Sequence, residues 1–176
     1  MNQSVTAKRT LPQSRPVEGM PLLVAVGAAA AAAFVVSSAQ QARVREAFAA
    51  LSDWDLGVVG RYCVAEGIYS AEDIDEVMDE YKKFMAMAMA FGAEPVPVSE
   101  FLDDFWHTHI VFTQDYAAMC QTIAGRFVHH RPRILDDEAM LAAAFTTRTM
   151  DLYRQCFGEP NRKVWNSALC RCGPED

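Results

Sequence analysis

Apolar residues recur every three or four positions through most of the chain beyond residue 50, which is the spacing of amphipathic helices. Serine or threonine stands before several of these stretches, where its side chain can accept a hydrogen bond from the first helical turn, and glycine stands after most of them, where it can end a helix. The expected caps are Ser52, Ser70, Ser99 and Thr113, and the expected stops are Gly67, Gly92, Gly125 and Gly158. The pattern therefore predicts a series of helices joined by short loops.

Five helices follow from these signals. They are expected over 53–66, over 72–91, from 100 to a break at Thr113, over 114–124, and from Asp136 or Asp137 to 157. Met85, Met87 and Met89 are interpreted as core residues rather than as soft-metal ligands, because positions two apart on a helix point about 200° away from each other. The sequence shows no alternation that would predict a pair of strands. The fold class is therefore predicted to be all-α, a compact bundle of about four or five helices with an N-terminal, alanine-rich apolar helix.

The first forty residues have a different character. Residues 1–20 are rich in polar residues and proline and are predicted to be a flexible basic tail. Pro21 to Ala39 contain no charge, and a helix of this length at about 1.5 Å per residue approaches the roughly 30 Å of a bilayer's hydrocarbon layer. This segment is predicted to span a membrane, which would make the protein membrane-associated with its sidedness open. A cleaved export signal and an apolar helix packed on the body or on a partner are the alternatives.

Composition narrows the range of partners. The chain has 176 residues, of which 51% are hydrophobic and 22% charged, as in one ordinary globular domain. Residues 1–45 carry five basic and one acidic residue, whereas the remainder carries 11 basic and 22 acidic residues, so a basic N-terminal segment precedes an acidic body. An acidic body argues against nucleic acid as a partner, and the sequence does not identify a protein partner.

The four histidines of the chain all lie between residues 107 and 130. Offsets of four, seven and eleven residues return to nearly the same angle on a helix, so His109, Thr113, Tyr116 and Cys120 are predicted to share one face. His107 lies about 200° from His109 and is expected to face the other way, toward Asp103, one turn earlier.

Imidazole, phenol and thiol groups are ligands for zinc, copper and iron, so this cluster predicts a transition-metal pocket. The expected ligands are His107, His109, Tyr116, Cys120 and His129, and the residues expected to orient them are Asp103, Trp106, Thr113 and His130. Adjacent residues of an extended chain point to opposite sides, so only one of the last two histidines can join the pocket, and His129 is the one predicted. The alternative has no metal: Asp103 orients His107, His109 bonds a backbone carbonyl, and Cys120 is a small buried residue.

Five cysteines are an odd number without zinc-finger spacing, so a complete disulfide framework is not expected. Residues 161–176 form a tail in which Cys170 and Cys172 are close enough to hold a soft metal ion, or are idle thiols.

Three motifs in the body resemble the glycine-rich domain-containing protein family. They are EYKKF at 80–84, FLDDFWHTHIVFTQDYAAMC at 101–120 and GRFVHHRP at 125–132, within a resemblance that extends over about residues 43–160. The resemblance implies that the histidines, Tyr116 and Cys120 occupy signature positions of a shared site. It implies no reaction, and the chain lacks the glycine-rich tail of the plant members.

These observations lead to one principal hypothesis, a small helical protein that binds a transition metal in a His/Tyr/Cys pocket, with catalytic residues unassigned. Two alternatives remain open. The first is a non-catalytic interaction module in which the histidines form a structural hydrogen-bond network. The second is a metal-assisted hydrolase or oxidoreductase.

Overall fold

The computed structural model describes residues 35–91, 96–130 and 148–165, and every regular element within these ranges is a helix. The helices are α1 (Ser38–Ser52), α2 (Gly57–Ala65), α3 (Ile74–Phe91), α4 (Glu100–Val111), α5 (Thr113–Ala124) and α6 (Met150–Phe157). The all-α helical bundle predicted from the sequence is confirmed. The start expected for the last helix at Asp136 or Asp137 lies outside the described residues.

Helix α3 is the central element, because it contacts each of the other five helices. Tyr81 and Phe84 are completely buried at its middle. Met85, Met87 and Met89 are also buried, although they point in different directions, because neighbouring helices surround this half of α3. The interpretation of these methionines as core residues is confirmed.

Several helix ends follow the local chemistry of the sequence. Ser99 caps α4 by accepting a hydrogen bond from the Leu102 amide at 3.3 Å. Gly125 ends α5 in the left-handed conformation with φ of 65°, which a residue with a Cβ adopts at a cost. Gly67 similarly follows α2 with φ of 71°. These predictions are confirmed because they depend on a few neighbouring backbone groups.

Two predicted caps are wrong. Ser52 ends α1 rather than starting α2, since its hydroxyl donates to the Phe48 carbonyl at 2.8 Å within α1. The Asp55 carboxylate instead accepts from the Gly57 amide at the start of α2. Thr113 is already the first residue of α5, and the position before it is Phe112, which provides no side-chain cap.

Helix α1 is a helix that the sequence analysis did not predict. It begins with a capping box. The Ser37 hydroxyl accepts a hydrogen bond from the backbone N–H of Gln40, and the side-chain oxygen of Gln40 accepts one from the backbone N–H of Ser37. Val44 and Leu51 are completely buried along its inner face, which packs against α3. The serine-to-glutamine spacing could have located this start.

The same helix start corrects the membrane span predicted over Pro21 to Ala39. Residues 35–37 are not helical and Ser37 caps α1, so the last two residues of the predicted span belong to a different helix. Within the three described ranges, no helix has both the length and the apolar character needed to cross a membrane. The predictions of a transmembrane helix and of a membrane-associated protein are corrected on this finding, and residues 21–34 lie outside the described part of the chain.

A buried carboxylate connects the end of the described chain to the central helix. Glu80 of α3 is only 4% exposed. It accepts hydrogen bonds from the Tyr153 hydroxyl at 2.8 Å, from the Trp165 indole N–H at 2.6 Å and from Lys83 at 2.9 Å. These bonds satisfy a charge that would otherwise be costly to bury.

Candidate metal site

Three potential metal ligands meet at the surface of α4. Asp103 lies in the first turn of this helix and His107 lies one turn later, so both side chains project from the same face. His130 comes from the segment that follows α5. One ligand atom from each of the three residues lies within 4.8 Å of the others. In the described ranges this is the group of three His, Cys, Asp or Glu side chains that could hold a metal ion.

The carboxylate of Asp103 is shared between the two imidazoles. Its Oδ1 lies 3.0 Å from His130 Nε2, which is hydrogen-bond distance, and its Oδ2 lies 3.9 Å from His107 Nε2. The two imidazole rings are 4.4 Å apart between centroids. The spacing of four residues predicted that Asp103 and His107 face each other, and they do.

The three side chains differ in their access to solvent. The side chain of His107 is 55% exposed, whereas those of Asp103 and His130 are 20% and 14% exposed. Two ligands are therefore held against the protein, and the third closes the group from the solvent side. An ion could reach this group without any opening of the core.

Trp106 packs against the side chain of His130. Its indole ring meets the imidazole of His130 edge to face, with centroids 4.4 Å apart. On its other side the indole contacts Phe84 of the central helix at 5.0 Å. The indole N–H donates to the Tyr116 hydroxyl at 2.9 Å.

His109 lies on the opposite side of α4 and is completely buried. Its Nε2 is 2.8 Å from the Asp115 carboxylate and its Nδ1 is 2.9 Å from the Tyr81 hydroxyl. A neutral imidazole satisfies both contacts if Nε2–H donates to Asp115 and Nδ1 accepts from Tyr81. Burial lowers the pKa of His109, although the hydrogen bond to Asp115 opposes that effect.

Tyr116 and Cys120 also belong to the core. The Tyr116 hydroxyl donates to the Val128 carbonyl at 2.6 Å, so both its donor and one acceptor position are used. Burial raises the pKa of Tyr116 and of the Cys120 thiol. His109, Tyr116 and Cys120 are therefore buried side chains of the core, as the alternative without a metal expects. That alternative is wrong about the partner of His109, because its nitrogens bond side chains rather than a backbone carbonyl.

The remaining predicted residues are distributed around this centre. His129 is exposed and its ring contacts Phe127 at 4.9 Å, so it points away from the group that contains His130. Thr113 is exposed at the start of α5. Cys170 and Cys172 lie outside the described residues. The five predicted ligands therefore do not form one site: His109, Tyr116 and Cys120 adjoin one another in the core, whereas His107 joins the surface group.

The partners of His109 did not follow from helical spacing, and His130 rather than His129 joins the ligand group. Asp115 and Tyr81 satisfy His109, but they lie six and 28 residues away from it, and no helical spacing links the latter pair. His130 was expected only to orient ligands. The alternation rule identified that one of two adjacent histidines faces inward, but choosing between them requires the position of Trp106.

The fold and the site define a small all-α protein with a His/Asp cluster at the surface of α4. A family model described as UCP032817-like matches residues 40–151, and the chain belongs to this family. Neither the curated proteins nor the solved structures contain a match to the chain.

The resemblance to the glycine-rich domain-containing proteins is therefore wrong as a family assignment. Several residues that carried it are ones the fold itself requires. Trp106 and Tyr116 form a buried hydrogen bond, and Gly125 supplies a left-handed helix end. Such residues report helix packing rather than one family.

Proposed function

We propose that the protein binds a divalent transition metal through Asp103, His107 and His130. The observation that carries the proposal is the convergence of two imidazole nitrogens and one carboxylate oxygen within 4.8 Å. Ligands bound to one zinc ion at about 2.1 Å lie roughly 3.4 Å apart in a tetrahedron. The pair formed by Asp103 and His130 is already at 3.0 Å, so mainly His107 has to move, and it is the exposed member.

The ligand set favours zinc, copper or iron over magnesium or calcium. Imidazole suits zinc, copper and iron, whereas magnesium and calcium prefer sites built from oxygen ligands. Three protein ligands leave at least one coordination position for water. This open position supports a second candidate function, metal-assisted hydrolysis or oxidation, which a substrate screen of the metal-loaded protein would test.

Zinc titration of the full chain by calorimetry tests the proposal. Asp103→Asn, His107→Gln and His130→Gln should each weaken zinc binding at least about tenfold, because each removes one ligand. His129→Gln is the matched control, since this exposed neighbour lies outside the group, and its affinity should equal that of the wild type. Equal losses in His129→Gln and His130→Gln, or an absence of zinc binding by the wild type, would refute the proposal.

Cys170 and Cys172 are proposed as a separate soft-metal pair, as the sequence suggests. The titration is therefore repeated on a chain that carries both Cys170→Ser and Cys172→Ser. A site formed by Asp103, His107 and His130 survives this change. Binding that disappears with the two thiols would belong to the tail and would refute the assignment to α4.

A further inference from the structure

His130 is the only member of the proposed ligand group that does not lie on α4. It belongs to a segment without regular secondary structure, residues 126–130, that follows Gly125. Asp103 and His107 keep a fixed spacing because one helix carries both. The distance across the site therefore depends on how residues 126–130 are held against α4.

A buried chain of hydrogen bonds holds this segment. The Trp106 indole N–H donates to the Tyr116 hydroxyl at 2.9 Å, and that hydroxyl donates to the Val128 carbonyl at 2.6 Å. Tyr116 is completely buried and Val128 is 7% exposed, so water cannot easily replace either bond. These two hydrogen bonds link α4 to α5, and α5 to the backbone of Val128, two residues before His130.

The same indole touches the ligand itself. Trp106 contacts the His130 ring edge to face at 4.4 Å, so it fixes the side chain of His130 while Tyr116 fixes the backbone beside it. Groups behind metal ligands commonly set metal affinity by orienting them. Tyr116 acts on the ligand group through Val128 and Trp106, and its ring also packs against Phe127 of the same segment at 5.2 Å, a contact that Tyr116→Phe retains.

We propose that Tyr116 is a positioning residue for the metal site, which sets the affinity for zinc by fixing residues 126–130 against Trp106. This inference rests on the function proposed above. Loss of the Tyr116 hydroxyl leaves the Trp106 N–H and the Val128 carbonyl without their shared partner. His130 then samples positions away from Asp103, and the ion has to hold the segment in place.

Tyr116→Phe tests this inference, and Tyr153→Phe is its matched control. Tyr153 is 2% exposed and its hydroxyl donates to Glu80, so its removal also deletes a buried hydrogen bond but does so away from the ligand group. Zinc affinity is measured by competition at a temperature where all three proteins are folded. Tyr116→Phe should bind zinc about tenfold more weakly than the wild type, and Tyr153→Phe should bind it equally well.

Cobalt(II) gives a second readout that a loss of stability alone would not change. Its visible absorption reports the coordination geometry, so the spectrum of Tyr116→Phe should differ from that of the wild type, while the spectrum of Tyr153→Phe should not. Equal zinc affinity and identical cobalt spectra in Tyr116→Phe and the wild type would overturn the inference and leave the metal site intact. A wild type that binds no metal would instead overturn the proposed function.

If Tyr116→Phe does not fold, the wild type provides the test. If the hydrogen bond from Trp106 to Tyr116 strengthens zinc binding, then bound zinc must strengthen that hydrogen bond in return. Zinc should therefore slow hydrogen exchange at the Trp106 indole N–H. The Trp165 indole N–H, which donates to Glu80, is the internal control and should exchange at an unchanged rate. Equal effects of zinc on both indoles, or none on either, would contradict the inference.

Discussion

Glu80 offers a direct test of how the described C-terminal residues are attached to the bundle. Glu80→Ala deletes a buried acceptor that serves the Tyr153 hydroxyl and the Trp165 indole N–H, at 2.8 and 2.6 Å. Each buried donor left without a partner costs about 1–3 kcal/mol, so two such donors cost about 2–6 kcal/mol. A loss of about 3–5 kcal/mol in the free energy of unfolding is also typical when one member of a buried charged pair is removed.

Glu80→Gln should cost less, about 1–2 kcal/mol. Its remaining oxygen can occupy the position of Oε2 and accept from both Tyr153 and Trp165. Its amide group then faces Lys83, whose ammonium also lies 2.8 Å from Asp79 and can rely on that partner. The charge is lost, but neither aromatic donor is left unpaired.

Asp79→Asn is the matched control, because Asp79 is the neighbouring residue and also pairs with Lys83. Its side chain is 55% exposed, so its ion pair contributes at most about 0.5 kcal/mol. Urea unfolding followed by circular dichroism should rank the losses in the order Glu80→Ala, Glu80→Gln, Asp79→Asn. A loss below about 1 kcal/mol for Glu80→Ala, or equal losses for Glu80→Gln and Asp79→Asn, would refute the reasoning.

Two further predictions concern protonation and backbone conformation. Burial lowers the pKa of His109 in the folded state. The unfolded chain therefore binds a proton at this histidine first as the pH falls below about 6.5. The free energy of unfolding should thus decrease from pH 7 to pH 5 in EDTA. His109→Gln should show a weaker decrease, and NMR of the wild type should find His109 still neutral at a pH where free histidine is protonated; a protonated ring there contradicts the prediction. In urea unfolding, Gly125→Ala should lower the free energy of unfolding by about 1 kcal/mol, and Gly125→Asn should lower it by less. Backbone strain is the cause, because φ is 65° and a Cβ at this position would touch nothing within 4 Å. Equal stability of Gly125→Ala and the wild type would contradict this reasoning.

The parts of the fold that the sequence predicts are those decided within a few residues. Ser99 and Gly125 act on backbone groups within one helical turn, so their roles are visible without the tertiary structure. Helix α1 was missed for a different reason. The uncharged segment from Pro21 to Ala39 passes across Ser37, where α1 is capped, and hydrophobic content alone does not mark a helix start.

The candidate site shows where helical spacing stops being informative. Spacing correctly placed Asp103 and His107 on one face of α4, since four residues return to the same side of a helix. The chain breaks at Phe112, between α4 and α5, so the ring contact of His109 with Tyr116 at 5.2 Å results from the packing of two helices rather than from one continuous helical face. His130 reaches Asp103 from 27 residues away, a distance that only the packing of α5 against α4 can close.

The two imidazoles on α4 differ in what metal binding would displace. An ion at Nδ1 of His109 would take away the partner of the buried Tyr81 hydroxyl, which costs about 1–3 kcal/mol and lowers affinity by about one to two orders of magnitude. An ion at Nε2 would find Asp115 beside it, and the structure assigns no third ligand of the usual kinds to that pair within the described ranges.

An ion held by His107 and His130 displaces one hydrogen bond, from His130 to Asp103, and gains that same carboxylate as a ligand. The side chain of His107 is already 55% exposed, so its nitrogen gives up contact with water rather than a buried partner. We therefore expect His107, which the core leaves at the surface, to be the better metal ligand, and His109, whose ring nitrogens already bond Tyr81 and Asp115, to be the poorer one.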